Sequence, residues 1–278
     1  MQIYRRMDIG TAKPTRSEQK QVSHHMLDIL EPEESYAVAR YVEDAEQVFG
    51  DIWQRGKIPL LVGGTGLYLD SILSGRTFAA GHSGGEVRRA LQTELAQGGI
   101  EPLYRQLQAI DPTAAARLHL SDEKRILRAL EVFRETGETI TAHDARTRLL
   151  PPKYRAYTIG LTFRDRADLY ERIDCRVDTM VGQGLLQEVE ALLKSGLPET
   201  ATALQAIGYK QFLSVYRGDT PARDAVAEVK LRSRQYAKRQ LTWLRRKEDI
   251  HWILWEKTPD FPAGLQNATE YLLAQGLG

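Results

Sequence analysis

Apolar positions recur at helical spacing along most of this chain, interrupted by three short apolar runs that predict strands. Residues 15–57 read as connected helices, with Val38, Tyr41, Ala45 and Phe49 on one face. Ile58-Pro59-Leu60-Leu61-Val62, between Gly56 and Gly63, predicts a buried strand, and Gly63-Gly64-Thr65-Gly66-Leu67-Tyr68 turns the chain into a helix through Leu73. From Phe78 to Gly85 the composition shifts to Ala, Gly, Ser and His, which predicts a hinge. Residues 86–150 carry only helical patterns. Asp111-Pro112 makes an N-cap with proline at the first helical position, Ser121 or Asp122 opens the next helix, and Gly137 closes it. Tyr157–Phe163 predicts a second strand, and a helix over 167–193 follows with the stripe Leu169, Ile173, Val177 and Met180. Thr220-Pro221 opens a helix running to Lys247, roughly 40 Å long at 1.5 Å per residue. His251–Trp255 is a third strand and 264–276 a closing helix. The pattern is that of an α/β core in two parts, 1–78 and 151–278, around an all-helical insertion at 79–150.

Composition changes this picture in two places. Hydrophobic content of 42% with 27% charged residues fits a soluble globular protein, and no apolar run approaches the roughly 18 residues a membrane helix needs. The lone Cys175 excludes an intramolecular disulfide, as expected in a reducing cytosol. The net charge of +1 conceals a concentration of cations: between Lys230 and Lys247 stand eight Lys or Arg and no acid. Arg234, Lys238 and Arg245 fall near one helical face, with Tyr236 and Trp243 interleaved. Such a face suits nucleic-acid phosphates, and an aromatic there can stack on an unpaired base. A solvated face with Trp243 packed inward is the plainer alternative.

The Gly63–Tyr68 turn sits at the carboxyl end of its predicted strand, where α/β sheets place ligands. Its glycines admit close backbone approach and Thr65 offers a hydroxyl. A tight turn that binds nothing has the same sequence. Adjacent His24 and His25 lack further ligands at metal-site spacing, so no metal-binding residue is expected in this chain. Asp8 is either a catalytic carboxylate or a turn cap.

Together these blocks resemble a family. Met1-Gln2-Ile3-Tyr4, Met7-Asp8-Ile9-Gly10-Thr11-Ala12-Lys13-Pro14, His24–Asp28, Leu61–Tyr68, Arg125–Glu131, Ala206–Lys210 and Ala237–Arg245 look like signatures of the tRNA dimethylallyltransferases, in family order and over nearly the whole chain. The resemblance implies a phosphate-loop NTPase-like parallel sheet with nucleotide (ATP-type) binding, Mg²⁺ as cofactor and a cytoplasmic monomer. It implies transfer of a dimethylallyl group from dimethylallyl pyrophosphate to N6 of adenosine 37, in the anticodon stem-loop of tRNA. Thr65 and Arg176 are the catalytic candidates it implies, with Arg176 on the pyrophosphate. Contacts to tRNA are implied for Met1, Gln2, Arg88, Lys124, Arg125, Ile126, Leu127 and Arg128. Further contacts are implied for Gln205, Ala206, Ile207, Gly208, Tyr209, Lys210, Lys238, Arg239, Gln240, Trp243 and Arg245.

The family opens with a strand, a Gly-x-x-x-x-Gly-Lys-Ser/Thr loop and a second strand ending in Asp-Ser, whose aspartate is the general base. These 278 residues contain no such loop. The expectation is that a block on the order of forty residues, the size of a strand-loop-helix-strand unit, is missing ahead of Met1. Two other readings stay open here: a non-catalytic tRNA-binding remnant, and an isopentenyltransferase acting on free adenine nucleotides. The helical insertion and basic helix argue against the second. The 278-residue chain is expected to transfer no prenyl group to unmodified tRNA with dimethylallyl pyrophosphate and Mg²⁺; turnover would show that the missing block is dispensable.

Overall fold

The structure is a computed structural model and describes residues 1–75 and 85–277. In chain order its helices are α1 (Arg16–Gln21), α2 (Val38–Gln54), α3 (Gly66–Leu73), α4 (Glu86–Gly98), α5 (Ile100–Ile110), α6 (Pro112–Ala115), α7 (Glu123–Thr136), α8 (Ile140–Arg148), α9 (Arg166–Gly182), α10 (Leu185–Lys194), α11 (Tyr209–Tyr216), α12 (Ala222–Leu244) and α13 (Phe261–Ala274). The strands are β1 (Thr158–Phe163) and β2 (Ile250–Trp255). Contacts divide the chain into two compact units: Met1–Leu69 with Ala156–Gly278, and Asp70–Arg155. The hinge expected at 78–85 lies, for residues 78–84, outside the described residues.

In the first unit, β1 and β2 pair in parallel, from Thr158 opposite Ile250 to Phe163 opposite Trp255. Helices α9, α10, α11 and α12 pack around Val177, Leu185, Val189, Phe212, Ala225 and Val229, and the amino-terminal segment adds Tyr4, Met7 and Leu30 to the same core. A backbone bridge between Tyr4 and Leu30 ties the two ends of that segment together.

Two expected elements differ. Residues 57–65 form no strand, and Ile58, Leu60 and Val62 are 67%, 84% and 83% exposed. A strand exists only where a neighbour completes its ladder, and among the described residues no strand pairs with this run. The helix expected over 167–193 is two helices, because Gly184 takes φ 104° and starts α10 on a new axis.

In the second unit, α4, α5 and α7 bury Leu91, Leu103, Leu107, Ile126, Leu127 and Leu130. Asp111, 4% exposed, locks α6 to α8. Its carboxylate caps Ala114 N at 2.9 Å and accepts from the Thr141 hydroxyl at 2.7 Å and the Thr141 N–H at 3.0 Å. Burial pushes this carboxyl upward, but the hydrogen bonds from Ala114 and Thr141 prevail and hold it below the usual aspartate range. A lowered folded-state value stabilises the protein above the unfolded pKa of about 4, and the gain is lost as pH falls. Asp111→Ala is expected to cost about 1–3 kcal/mol at pH 7. Asp111→Asn should lessen the loss of stability between pH 5 and 3, both read by thermal melts.

Candidate active site and RNA-facing surfaces

A single carboxylate shapes the amino-terminal loop of the first unit. Glu188 of α10 accepts from the backbone N–H groups of Asp8 (2.9 Å), Ile9 (2.8 Å) and Gly10 (3.1 Å), and from the Tyr209 hydroxyl (2.5 Å). Burial and then the Glu188 carboxylate drive the Tyr209 phenol far above its ordinary value, so it stays a donor. Gly10 is needed because a Cβ there would lie 2.5 Å from the Tyr209 ring. Gln2 donates to the carbonyls of Thr11 (3.1 Å) and Ala12 (2.9 Å), and Ala12 is left-handed at φ 49°. Lys13, whose side chain is 4% exposed, donates to the Tyr4 carbonyl (2.9 Å), to Asp8 (2.6 Å) and to Asp28.

The loop so held forms one wall of a cavity of about 580 Å³. Asp8, Ile9, Ala12, Lys13 and Pro14 face Arg176, Thr179 and Met180 of α9, with Arg16 and Gln19 of α1 and Asp28 also lining it. Asp8 and Asp28 share Lys13, whereas Arg16 and Arg176 have no ion-pair partner among the described residues. Cations without counterions beside the apolar surface of Ile9, Ala12 and Met180 suit an anion that carries a hydrocarbon group. Among the described residues no group of three or more His, Cys, Asp or Glu could hold a metal ion. With both aspartates engaged by Lys13, these residues do not fit a Mg²⁺ site.

Thr65 is not among the residues lining that cavity. Its turn packs instead against α12: the Thr65 and Tyr236 hydroxyls are 3.2 Å apart, and Cβ atoms at Gly64 and Gly66 would fall 2.1 Å from Gln240 and 2.4 Å from Trp243. Tyr236, Gln240 and Trp243 share one face at i, i+4 and i+7. Gln240 and Trp243, expected at RNA, thus lie half-buried on the turn, with Lys247 4.6 Å from the Trp243 ring centroid.

The basic helix divides its charge. Lys230 pairs with Asp178 (2.6 Å), Arg234 with Asp174 (2.5 Å) and Arg232 with Glu228 (2.6 Å). Arg234 therefore does not join Lys238 and Arg245 as a free cation, because α9 presents Asp174 opposite it. Lys238, Arg239, Arg245 and Arg246 are exposed and make no ion pair among the described residues.

Three side chains expected at RNA are interior. Ile126 and Leu127 are 0% and 4% exposed in the helical unit, and Tyr209 is 0% exposed. Their side chains are packing groups because they lie on the buried stripes of α7 and α11. Gly208 is also buried, at φ 98°, and Ala206 and Ile207 are half-buried, so Gln205 and Lys210 are the exposed side chains of 205–210. Met1 is exposed, while Gln2 is occupied with the 11–12 turn. In the helical unit Lys124 and Arg125 are exposed, and Arg88 and Arg128 are half-buried around Glu131. Glu188, Lys13 and Glu131 went unpredicted, since nothing in helical spacing separates an acid that reaches a distant loop from a solvated one.

The IPP transferase family matches residues 2–247. A tRNA dimethylallyltransferase of Acetivibrio thermocellus is 39% identical over 277 residues, covering 100% of this chain and 88% of that protein. One of Alkaliphilus oremlandii is 44% identical over 253 residues, 91% of this chain and 80% of that protein. The crystal structure of a Staphylococcus epidermidis tRNA delta(2)-isopentenylpyrophosphate transferase superposes with a TM-score of 0.68 at 35% identity, covering 99% of this chain and 88% of that one. A eukaryotic dimethylallyltransferase acting on tRNA superposes with a TM-score of 0.79 at 28% identity, covering 99% of this chain and 69% of that one.

The turn's contact with α12 predicts a contrast between two glycines. Gly66→Ala sets a methyl against the rigid Trp243 ring and is expected to destabilise by about 1–3 kcal/mol. Gly63→Ala, with nothing within 4 Å of the added carbon, should be near neutral in the same denaturant titration.

Proposed function

The chain belongs to the IPP transferase family, and from that membership we propose its reaction. The dimethylallyl group of dimethylallyl pyrophosphate passes to N6 of adenosine 37 in tRNA, and pyrophosphate leaves. The observation that carries this reading is the family match over residues 2–247, joined to relatives named tRNA dimethylallyltransferase that align over 91% and 100% of the chain.

N6 of adenine is a weak nucleophile because its lone pair is delocalised into the ring. The N6–C1 bond forms as the C1–O bond breaks, with its electron pair carried off on pyrophosphate and the N6 proton passing to a base. Positive charge aimed at the departing oxygens lowers the barrier most. Arg176, which lines the same cavity as Arg16, is the side chain we assign to that task. Neither Asp8 nor Asp28 is assigned as base, since Lys13 engages both. No step is routed through Mg²⁺, for which the described side chains supply no site.

We assign phosphate contacts to the unpaired cations Lys238, Arg239, Arg245 and Lys210 on the first unit. Arg88, Lys124, Arg125 and Arg128 on the helical unit are assigned to the anticodon stem-loop. Thr65, hydrogen-bonded to Tyr236, is assigned to the adenosine side of the site. We propose a cytoplasmic location, where tRNA is found, in keeping with the lone cysteine; no helix among the described residues is long and apolar enough to cross a membrane. One copy of the chain carries every side chain named, so we propose a monomer.

Binding tests the reading directly. An unmodified anticodon stem-loop with adenosines at 36 and 37 should bind the chain and weaken steeply with salt. AMP should not displace it; displacement at comparable concentration would favour an enzyme of free nucleotides. Arg176→Ala should weaken pyrophosphate binding by about tenfold, the loss of one charge-assisted contact. An unchanged affinity would remove Arg176 from the anion site.

A further inference from the structure

The helical unit buries one carboxylate that the reaction does not use. Glu131 on α7 has a side chain only 3% exposed. Its Oε2 lies 2.8 Å from Arg128 of the same helix and 3.7 Å from Arg88 of α4, and its Oε1, also buried, meets no donor among the described residues. Burial of an ionised carboxylate with one oxygen unsatisfied is costly, and an apolar residue of similar volume is often no less stabilising there. A gain in stability therefore does not account for Glu131.

Its geometry accounts for it better. One oxygen holds two guanidinium groups from two helices, and those groups are 21% and 35% exposed, so each is gripped from beneath while part of it reaches solvent. Two partly exposed guanidinium groups tied to one buried carboxylate suit the oxygens of a single phosphodiester.

We propose that Glu131 is a positioning residue for RNA binding, fixing Arg88 and Arg128 as a two-pronged clamp for one backbone phosphate. The proposal rests on the reading above that the helical unit meets the stem-loop.

The test exploits a sign. Glu131→Gln removes a negative charge beside the bound polyanion, so a bystander acid would give tighter binding on its loss. A positioning role gives weaker binding despite the added positive charge. For the full 278-residue chain and an unmodified anticodon stem-loop, the expected result is an affinity about tenfold lower for Glu131→Gln, with its melting temperature measured alongside. Arg88→Ala and Arg128→Ala should each weaken binding in the wild-type background and much less in the Glu131→Gln background. Should Glu131→Gln fail to fold, Arg88→Ala, Arg128→Ala and their combination carry the test, with losses well short of additive expected for a single clamp and additive losses overturning it. Weakening by the arginine variants with unchanged or tighter binding by Glu131→Gln overturns the positioning role alone. No effect from either arginine overturns the reading that this unit meets RNA, and the clamp with it.

Discussion

The carboxylate of Glu188 gathers three successive backbone N–H groups and a buried phenol, and the first unit's site depends on that arrangement. Successive amides converging on one point form a nest for an anion. Here the anion is the protein's own side chain, delivered by a helix some 180 residues further along. The loop thereby inherits the rigidity of the α10–α11 core. That rigidity lets the loop keep Ala12 in a left-handed conformation, while Lys13 holds the similarly placed Asp28. Each such residue costs about 1–3 kcal/mol when nothing else fixes it. The cavity wall opposite Arg176 is thus set partly by Glu188 and Tyr209, which are not among the residues lining the cavity.

Charge in this molecule is sorted by what lies opposite it. Helix α12 carries a dense run of cations, yet α9 presents Asp178 and Asp174 to Lys230 and Arg234, while Lys238 and Arg239 make no ion pair among the described residues. The first two serve as an internal fastening and the others as a surface potential. In the helical unit the same sorting occurs within a single cluster, where Glu131 anchors the inner sides of two arginines.

Much of the fold was legible in sequence. Periodicity located α12 and α13, and β1 and β2, within a few residues, because their patterns depend on the element's own burial. It failed where a second partner decides. Ile58–Val62 has the composition of a strand, but strand pairing is a property of neighbours. The 167–193 pattern ran through Gly184 because apolar spacing hardly registers a change of axis at one glycine. Of the candidate site, Arg176 was expected through motif resemblance, whereas the cavity it lines is a product of the fold that no motif shows. Lys13 stood within a quoted motif with no sign that it would be buried between two aspartates. Arg234 lay on the expected face, yet the acid opposite it is invisible in a helical projection.

The exposed run at 58–62 has a consequence for the chain in solution. An exposed apolar run whose backbone groups are not paired in a sheet is a template on which another copy can lay a strand. Pro59 blunts it, lacking an N–H to offer, and Lys57 sets a charge at its entrance, as gatekeeper residues do. Leu60, Leu61 and Val62 have no such protection. A charge placed at Leu60 or Val62 is therefore expected to oppose such pairing between copies without touching the cavity, which neither residue lines.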